Sequence, residues 1–136
     1  MKDLKTITIL FRAVDRFQSE ISSSVNEMGL SLTSFMALEA LYHKGPINVA
    51  QLQSKVLIAN SSLSYVIEQL ENKDLIHIES DHHDRRRRVC SLTSKGMQIM
   101  NEVYPKHVRD QRKRLDRLNH DEEIELQRLL KKIGLD

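Results

Sequence analysis

The chain has 136 residues, 40% of them apolar and 29% charged, with a formal net charge of +2. That length suits one domain with a sizeable core and is short for two. A single cysteine, Cys90, rules out an internal disulfide and a thiolate zinc site, and no apolar run reaches the ~20 residues of a membrane span.

The N-terminus carries no basic, apolar and small-residue sequence of the secretory kind. A reducing, cytoplasmic setting is therefore expected. Charge is unevenly placed. Arg85 to Arg88 and Lys95 outweigh Asp81 and Asp84 in the segment 81–96, whereas the segment 31–80 is net acidic. Such a split fits one face turned towards a polyanion.

Leu4, Ile7, Phe11, Val14, Ile21, Val25 and Met28 form a near-heptad stripe, which predicts an amphipathic helix ending near Gly29. A second helix is predicted from about Thr33, burying Phe35, Leu38, Leu41 and Tyr42, and stopped by Gly45-Pro46. Asn48 caps a short helix, with Gln51 three residues on in a box-like arrangement. Another helix is predicted from Asn60 or Ser61, with Leu63, Val66, Ile67 and Leu70 inward and Ser61, Ser62, Ser64, Tyr65 and Gln69 outward. Two strand-like runs, 75–80 and 89–92, then flank Asp81-His82-His83-Asp84-Arg85-Arg86-Arg87-Arg88. Thr93 is expected to cap a long helix reaching about Leu118 and kinked at Pro105. His120 or Asp121 opens a last helix, with Leu126, Leu129, Leu130 and Ile133 inward.

Two short helices joined by a tight turn, the second with a small polar outer face, form a helix-turn-helix candidate. Its second helix would read the major groove. Serine hydroxyls can donate or accept at base edges or phosphates, and Tyr65 reaches further. Alone, those serines read equally as caps and surface residues. The arginine-tipped hairpin beside them changes the balance, because it places cations where a duplex backbone would run. The predicted fold is mainly α (α+β): a winged helix-turn-helix with N- and C-terminal dimerisation helices.

The segments Leu32-Thr33-Ser34-Phe35, Gly45-Pro46, Leu70-Glu71-Asn72-Lys73-Asp74-Leu75-Ile76, Asp81-His82-His83-Asp84-Arg85-Arg86 and Leu92-Thr93-Ser94-Lys95-Gly96 resemble the MarR family of bacterial transcription regulators. The resemblance spans essentially the whole chain. It implies a homodimer built from about 1–30 and 94–136, around winged DNA-binding lobes at about 31–93. It places DNA-reading positions on Asn60, Ser61, Ser62, Ser64 and Tyr65 of the recognition helix, beside the outward Gln69, and on Asp84 and Arg86 of the wing, where Arg85, Arg87 and Arg88 can contact phosphate or support the wing. In the family pattern an aspartate orients an arginine that enters the minor groove, and Asp84 and Arg86 match those positions. Physically, an arginine gains from the negative potential of a narrow A·T-rich groove, and a carboxylate can hold its guanidinium in a fork. His82 departs from the pattern, standing where many relatives have proline.

The expected function is therefore sequence-specific binding of double-stranded DNA by a ligand- or stress-responsive repressor, on a near-palindromic operator. The resemblance also implies a small-molecule effector, at residues no motif marks. Two alternatives share the fold. One is a regulator sensing oxidants through Cys90, although strand alternation puts that thiol on the core side with Leu92. The other is a protein- or RNA-interaction module without DNA binding. The basic run Arg109, Arg112, Lys113, Arg114 and Arg117 is interleaved with Asp110 and Asp116, which favours a solvated helix face. No enzyme, cofactor or metal is expected: there is no G-x-S-x-G, glycine phosphate loop or HExxH, and adjacent His82 and His83 rarely supply a closed ligand set.

Overall fold

The computed structural model describes residues 3–56 and 63–135. Its elements are α1 (Lys5–Asn26), α2 (Leu32–Lys44), β1 (Ile47–Asn48), α3 (Val49–Lys55), α4 (Leu63–Asn72), β2 (Ile76–Ser80), β3 (Arg88–Leu92), α5 (Ser94–Leu115) and α6 (His120–Gly134). The mainly helical α+β reading is thus met, with a small antiparallel sheet ordered β1-β3-β2.

Local chemistry sets most boundaries. Ser31 caps α2 by accepting from the Ser34 amide. Gly45, at φ +73°, ends it in a conformation glycine adopts without a Cβ clash. Asn48 and Gln51 form a complete capping box at α3, as expected. Asn119 and Glu122 form another at α6, so the cap lies one residue before the His120 or Asp121 start read from sequence. Thr93 caps α5 by accepting from the Gly96 amide. That helix continues on both sides of Pro105 and ends at Leu115 rather than Leu118.

The core is one cluster in which Val25, Phe35, Leu38, Leu41, Leu52, Leu70, Ile76, Cys90 and Met100 are fully buried. It gathers side chains from α1 to α5 and from the sheet around α2. Gly96 locks α5 to the start of β2. A Cβ at that position would lie 2.1 Å from the Leu75 carbonyl oxygen. Around the same turn the Thr93 hydroxyl donates to the Asp74 carbonyl at 2.6 Å, and the Thr93 amide donates to Leu75 at 3.1 Å. The Leu-Thr-x-x-Gly segment is therefore a docking device for α5.

The apolar stripes of the terminal helices are covered only in part within one chain. Ile21, Val25 and Met28 of the first stripe pack towards the core. Leu4, Ile7, Phe11 and Val14 remain exposed, Leu4 and Phe11 at 70%. In α6, Leu126, Leu129, Leu130 and Ile133, expected inward, are also exposed. Periodicity found the apolar face correctly, but no element among the described residues covers it.

Candidate nucleic-acid interface

The wing is an antiparallel pair in which Ile76 faces Leu92, Ile78 faces Cys90 and Ser80 faces Arg88. One face is anchored by burial: Ile76 and Cys90 are in the core and Ile78 packs against it. Cys90 also pairs with Ile47 of β1, a two-residue strand that sequence reasoning missed. Its partner lies some forty positions away, and two residues carry no readable period.

Beyond the ladder, residues 81–87 form the tip. The Asp81 amide donates to the Arg87 carbonyl at 2.8 Å, and the Arg87 amide donates to the Asp84 carbonyl at 2.9 Å. Each aspartate also caps its own turn: Asp81 Oδ1 accepts from the His83 amide at 2.9 Å and Asp84 Oδ1 from the Arg86 amide at 3.0 Å. These side-chain turns order the tip without the proline common at His82. Arg85 to Arg88 are all exposed. The Arg86 side chain is 96% exposed, with Nε 3.9 Å from Asp84 Oδ1. The aspartate therefore holds the Arg86 backbone rather than forking its guanidinium.

The second predicted cluster lies on α4. Leu63, Val66, Ile67 and Leu70 are buried, as the period implied. Ser64 and Tyr65 are exposed on the other side, and the Gln69 amide Nε2 donates to the Tyr65 hydroxyl at 2.6 Å. Asn60, Ser61 and Ser62 lie outside the described residues. Ser64 and Arg88 line one cleft of about 420 Å³ with Val49, Gln53, Ile67 and Glu68, so helix and wing border a common depression. A neighbouring hollow of about 280 Å³ brings Asn48, Val49 and Ala50 beside Arg86, Arg87 and Arg88.

The basic face of α5 is largely engaged within the chain. Arg112 grips Glu123 through Nη1 at 2.7 Å and Nη2 at 3.0 Å, and grips Asp116 at 2.6 Å, tying α6 to α5. Those hydrogen bonds hold the Glu123 carboxyl below its ordinary range. Arg114 hydrogen-bonds Glu20 of α1 and stands over the Phe17 ring. Lys106 donates to Asp110 at 2.7 Å and to Ser24 of α1 at 3.0 Å.

Cys90 is fully buried. Burial, seconded by Glu71 and opposed by Arg88, pushes its thiol up to about 11, which disfavours the reactive thiolate. A further polar contact joins α2 to α5: Glu39 Oε2 lies 3.3 Å from His107 Nε2. Burial holds both groups towards their neutral forms, raising the Glu39 carboxyl and lowering His107. Sequence reasoning gave His107 no partner, because the contact spans two elements far apart in the chain. No cluster of three or more potential metal ligands occurs among the described residues, and no described helix is long and apolar enough to cross a membrane.

A wing tipped with arginines beside a helix whose outer face is polar is the arrangement of a winged helix-turn-helix. Comparison with known proteins agrees. The MarR family model matches residues 30–87. The regulator MhqR of Bacillus subtilis, an HTH-type transcriptional regulator, is 32% identical over 98% of this chain and 92% of its own length. The chain belongs to the MarR family. Among solved structures, the MarR-family regulator AbsC from Streptomyces coelicolor superposes with a TM-score of 0.86 at 25% identity, covering 98% of this chain and 94% of AbsC. The MepR–DNA complex of S. aureus shares the fold at a TM-score of 0.80 and 18% identity, over 93% and 94% of the two chains. MarR-family membership makes this chain a DNA-binding transcription regulator and not an enzyme.

Proposed function

We propose that this MarR-family regulator is a ligand-responsive repressor that grips a near-palindromic operator as a homodimer. The observation carrying this reading is the pairing of two features in one chain: an exposed arginine tip beside α4, and apolar faces on α1 and α6 left exposed among the described residues. Exposed apolar faces of that kind mark an association site, and a self-complementary pairing of equal chains closes it. Two copies present two recognition helices about one DNA turn apart, roughly 34–36 Å.

On that reading, Asn60, Ser61, Ser62, Ser64, Tyr65 and Gln69 face the major groove. Asp84 shapes the wing backbone so that Arg86 enters the neighbouring minor groove. Arg85, Arg87 and Arg88 supply phosphate contacts, whose strength falls steeply with salt. The α2–α5 junction around Glu39 and His107 connects the lobe to the dimer helices. An effector seated beside this junction acts through its differential affinity for the lobe arrangements.

Selection of bound duplexes from random DNA tests the proposal. Enrichment of paired half-sites one turn apart, with release by a small molecule in a subsequent screen, is the expected outcome. Enrichment of no duplex, or of a single unpaired half-site, would refute it.

A further inference from the structure

We propose that the Tyr65 hydroxyl reads a hydrogen-bond acceptor on a base edge, and that Gln69 is the positioning residue that makes it an obligate donor. This rests on the DNA-binding reading above and specifies its chemistry at one position of α4.

Tyr65 sits early in α4, and residues near the start of a recognition helix are those that reach base edges. Its ring stands clear of the core, 62% exposed, on the face opposite Leu63, Val66, Ile67 and Leu70. Packing among the described residues does not account for a large aromatic there. Gln69 lies one turn further on and is half-buried. Its Nε2 amide donates to the phenolic oxygen at 2.6 Å, a spacing at which residues i and i+4 meet on one helix face.

The contact has a chemical consequence. A phenol offers one proton and can accept at its oxygen. Once the Gln69 amide occupies the oxygen, the hydroxyl proton is left for an outside partner. Ser64, also exposed on this helix, has a hydroxyl that can rotate to donate or accept, so it tolerates either base edge. Tyr65 is different: two torsions and an anchored oxygen make it a fixed donor. In the major groove guanine presents N7 and O6 acceptors, adenine N7, and thymine O4, whereas cytosine presents the N4 amino donor. A fixed donor therefore favours guanine, with its adjacent acceptors, and rejects cytosine.

The test uses the full-length protein and the best duplex from a random selection, with single positions replaced. Affinities are measured for the wild type, Tyr65→Phe, Gln69→Ala, Gln69→Glu and the Tyr65→Phe/Gln69→Glu double variant. Both residues are outside the core, so thermal unfolding should be unchanged. The wild type is expected to prefer guanine over cytosine at one position by about tenfold, the scale of a single mismatch. Tyr65→Phe should reduce that ratio to about twofold or less. Gln69→Glu should do the same, because a carboxylate accepts the phenolic proton that the base would otherwise receive. The double variant should be no worse in this ratio than Tyr65→Phe. Gln69→Ala, which frees the oxygen, should give an intermediate ratio.

Replacing the guanine in turn with 7-deazaguanine, which lacks N7, and 2-aminopurine, which lacks O6, separates a base contact from a phosphate contact. At least one replacement should weaken the wild type more than it weakens Tyr65→Phe. A methylphosphonate at the flanking phosphate should weaken both proteins equally. If Tyr65→Phe or Gln69→Glu keeps the wild-type ratio, or only the phosphate effect disappears with the hydroxyl, the assignment is overturned. A wild type that binds no duplex overturns the DNA reading as well, so the two failures are distinct.

Discussion

Arg86 shows how a backbone contact can serve a side chain. Asp84 fixes the peptide of Arg86 at 3.0 Å while the guanidinium stays in water. A guanidinium is less strongly hydrated than an ammonium, so inserting it into a narrow groove loses less solvation than inserting lysine. Arg86→Ala is expected to weaken operator binding by about 1–3 kcal/mol and to blur preference in the flanking A·T steps. An unchanged footprint and affinity would remove Arg86 from the groove. Cys90 makes a contrasting prediction. Buried among Ile47, Ile78 and the core, with its thiol pushed up to about 11, it should resist iodoacetamide at neutral pH in the native protein and react readily in urea. Rapid native alkylation that abolishes DNA binding would instead favour the oxidant-sensing alternative. His107 predicts a pH effect. Burial lowers its folded pKa below the ordinary 6.5, with Asp110 opposing and His43 reinforcing that shift. Between those values the unfolded chain binds more protons than the folded one. The stability this group confers is therefore present above about 6.5 and lost as pH falls through its folded value. Glu39, whose carboxyl burial raises, acts in the opposite sense, from 4.5 upwards to its folded value. His107→Gln should flatten the fall in urea midpoint between pH 7 and pH 5.5, and an unaltered slope would contradict this assignment.

At the level of elements, Gly96 decides how α5 meets the wing. Alanine is normally favoured over glycine inside a helix by about 1 kcal/mol. Here its Cβ would lie 2.1 Å from a backbone carbonyl oxygen, an atom that cannot swing aside. The clash should win, and Gly96→Ala is expected to destabilise the fold by about 1–3 kcal/mol, the range of an overpacked site. The urea midpoint measures this, and an increase would show that α5 can shift freely. The need for that glycine could not be derived from the sequence alone, because it depends on Leu75 approaching from another element. Caps and helix faces were legible for the opposite reason. Asn48 with Gln51 and Thr93 with Gly96 act within three residues, and the buried side of α4 repeats with the helical period. The strand Ile47–Asn48 and the Glu39–His107 contact escaped detection because each depends on a distant partner. Asp84 was legible as a functional candidate, but its holding of the Arg86 amide emerged only from geometry. Likewise, Tyr65 was legible as an outward residue of α4, while its hydrogen bond to Gln69 was not.

For the whole molecule, the charged and apolar surfaces divide the work. Ion pairs from Arg112 and Arg114 tie α5 to α6 and α1 within one chain, so much of the α5 charge is spent internally. The arginines of the wing are left facing outwards. The uncovered stripe from Leu4 to Val14, together with the α6 face from Ile124 to Leu135, is the surface for which a second copy is proposed. Exposed ion pairs contribute little on their own, typically under ~1 kcal/mol. Burial of two such apolar faces would therefore dominate assembly. The proposed chain pairing would fix the spacing of the recognition helices, making dimerisation and DNA reading one geometric claim. Native mass measurement of the protein bound to its selected duplex tests that claim most directly. Two chains on one duplex bearing paired half-sites about one turn apart is the predicted result. A single chain per duplex, or no retained duplex even at low salt, would contradict it.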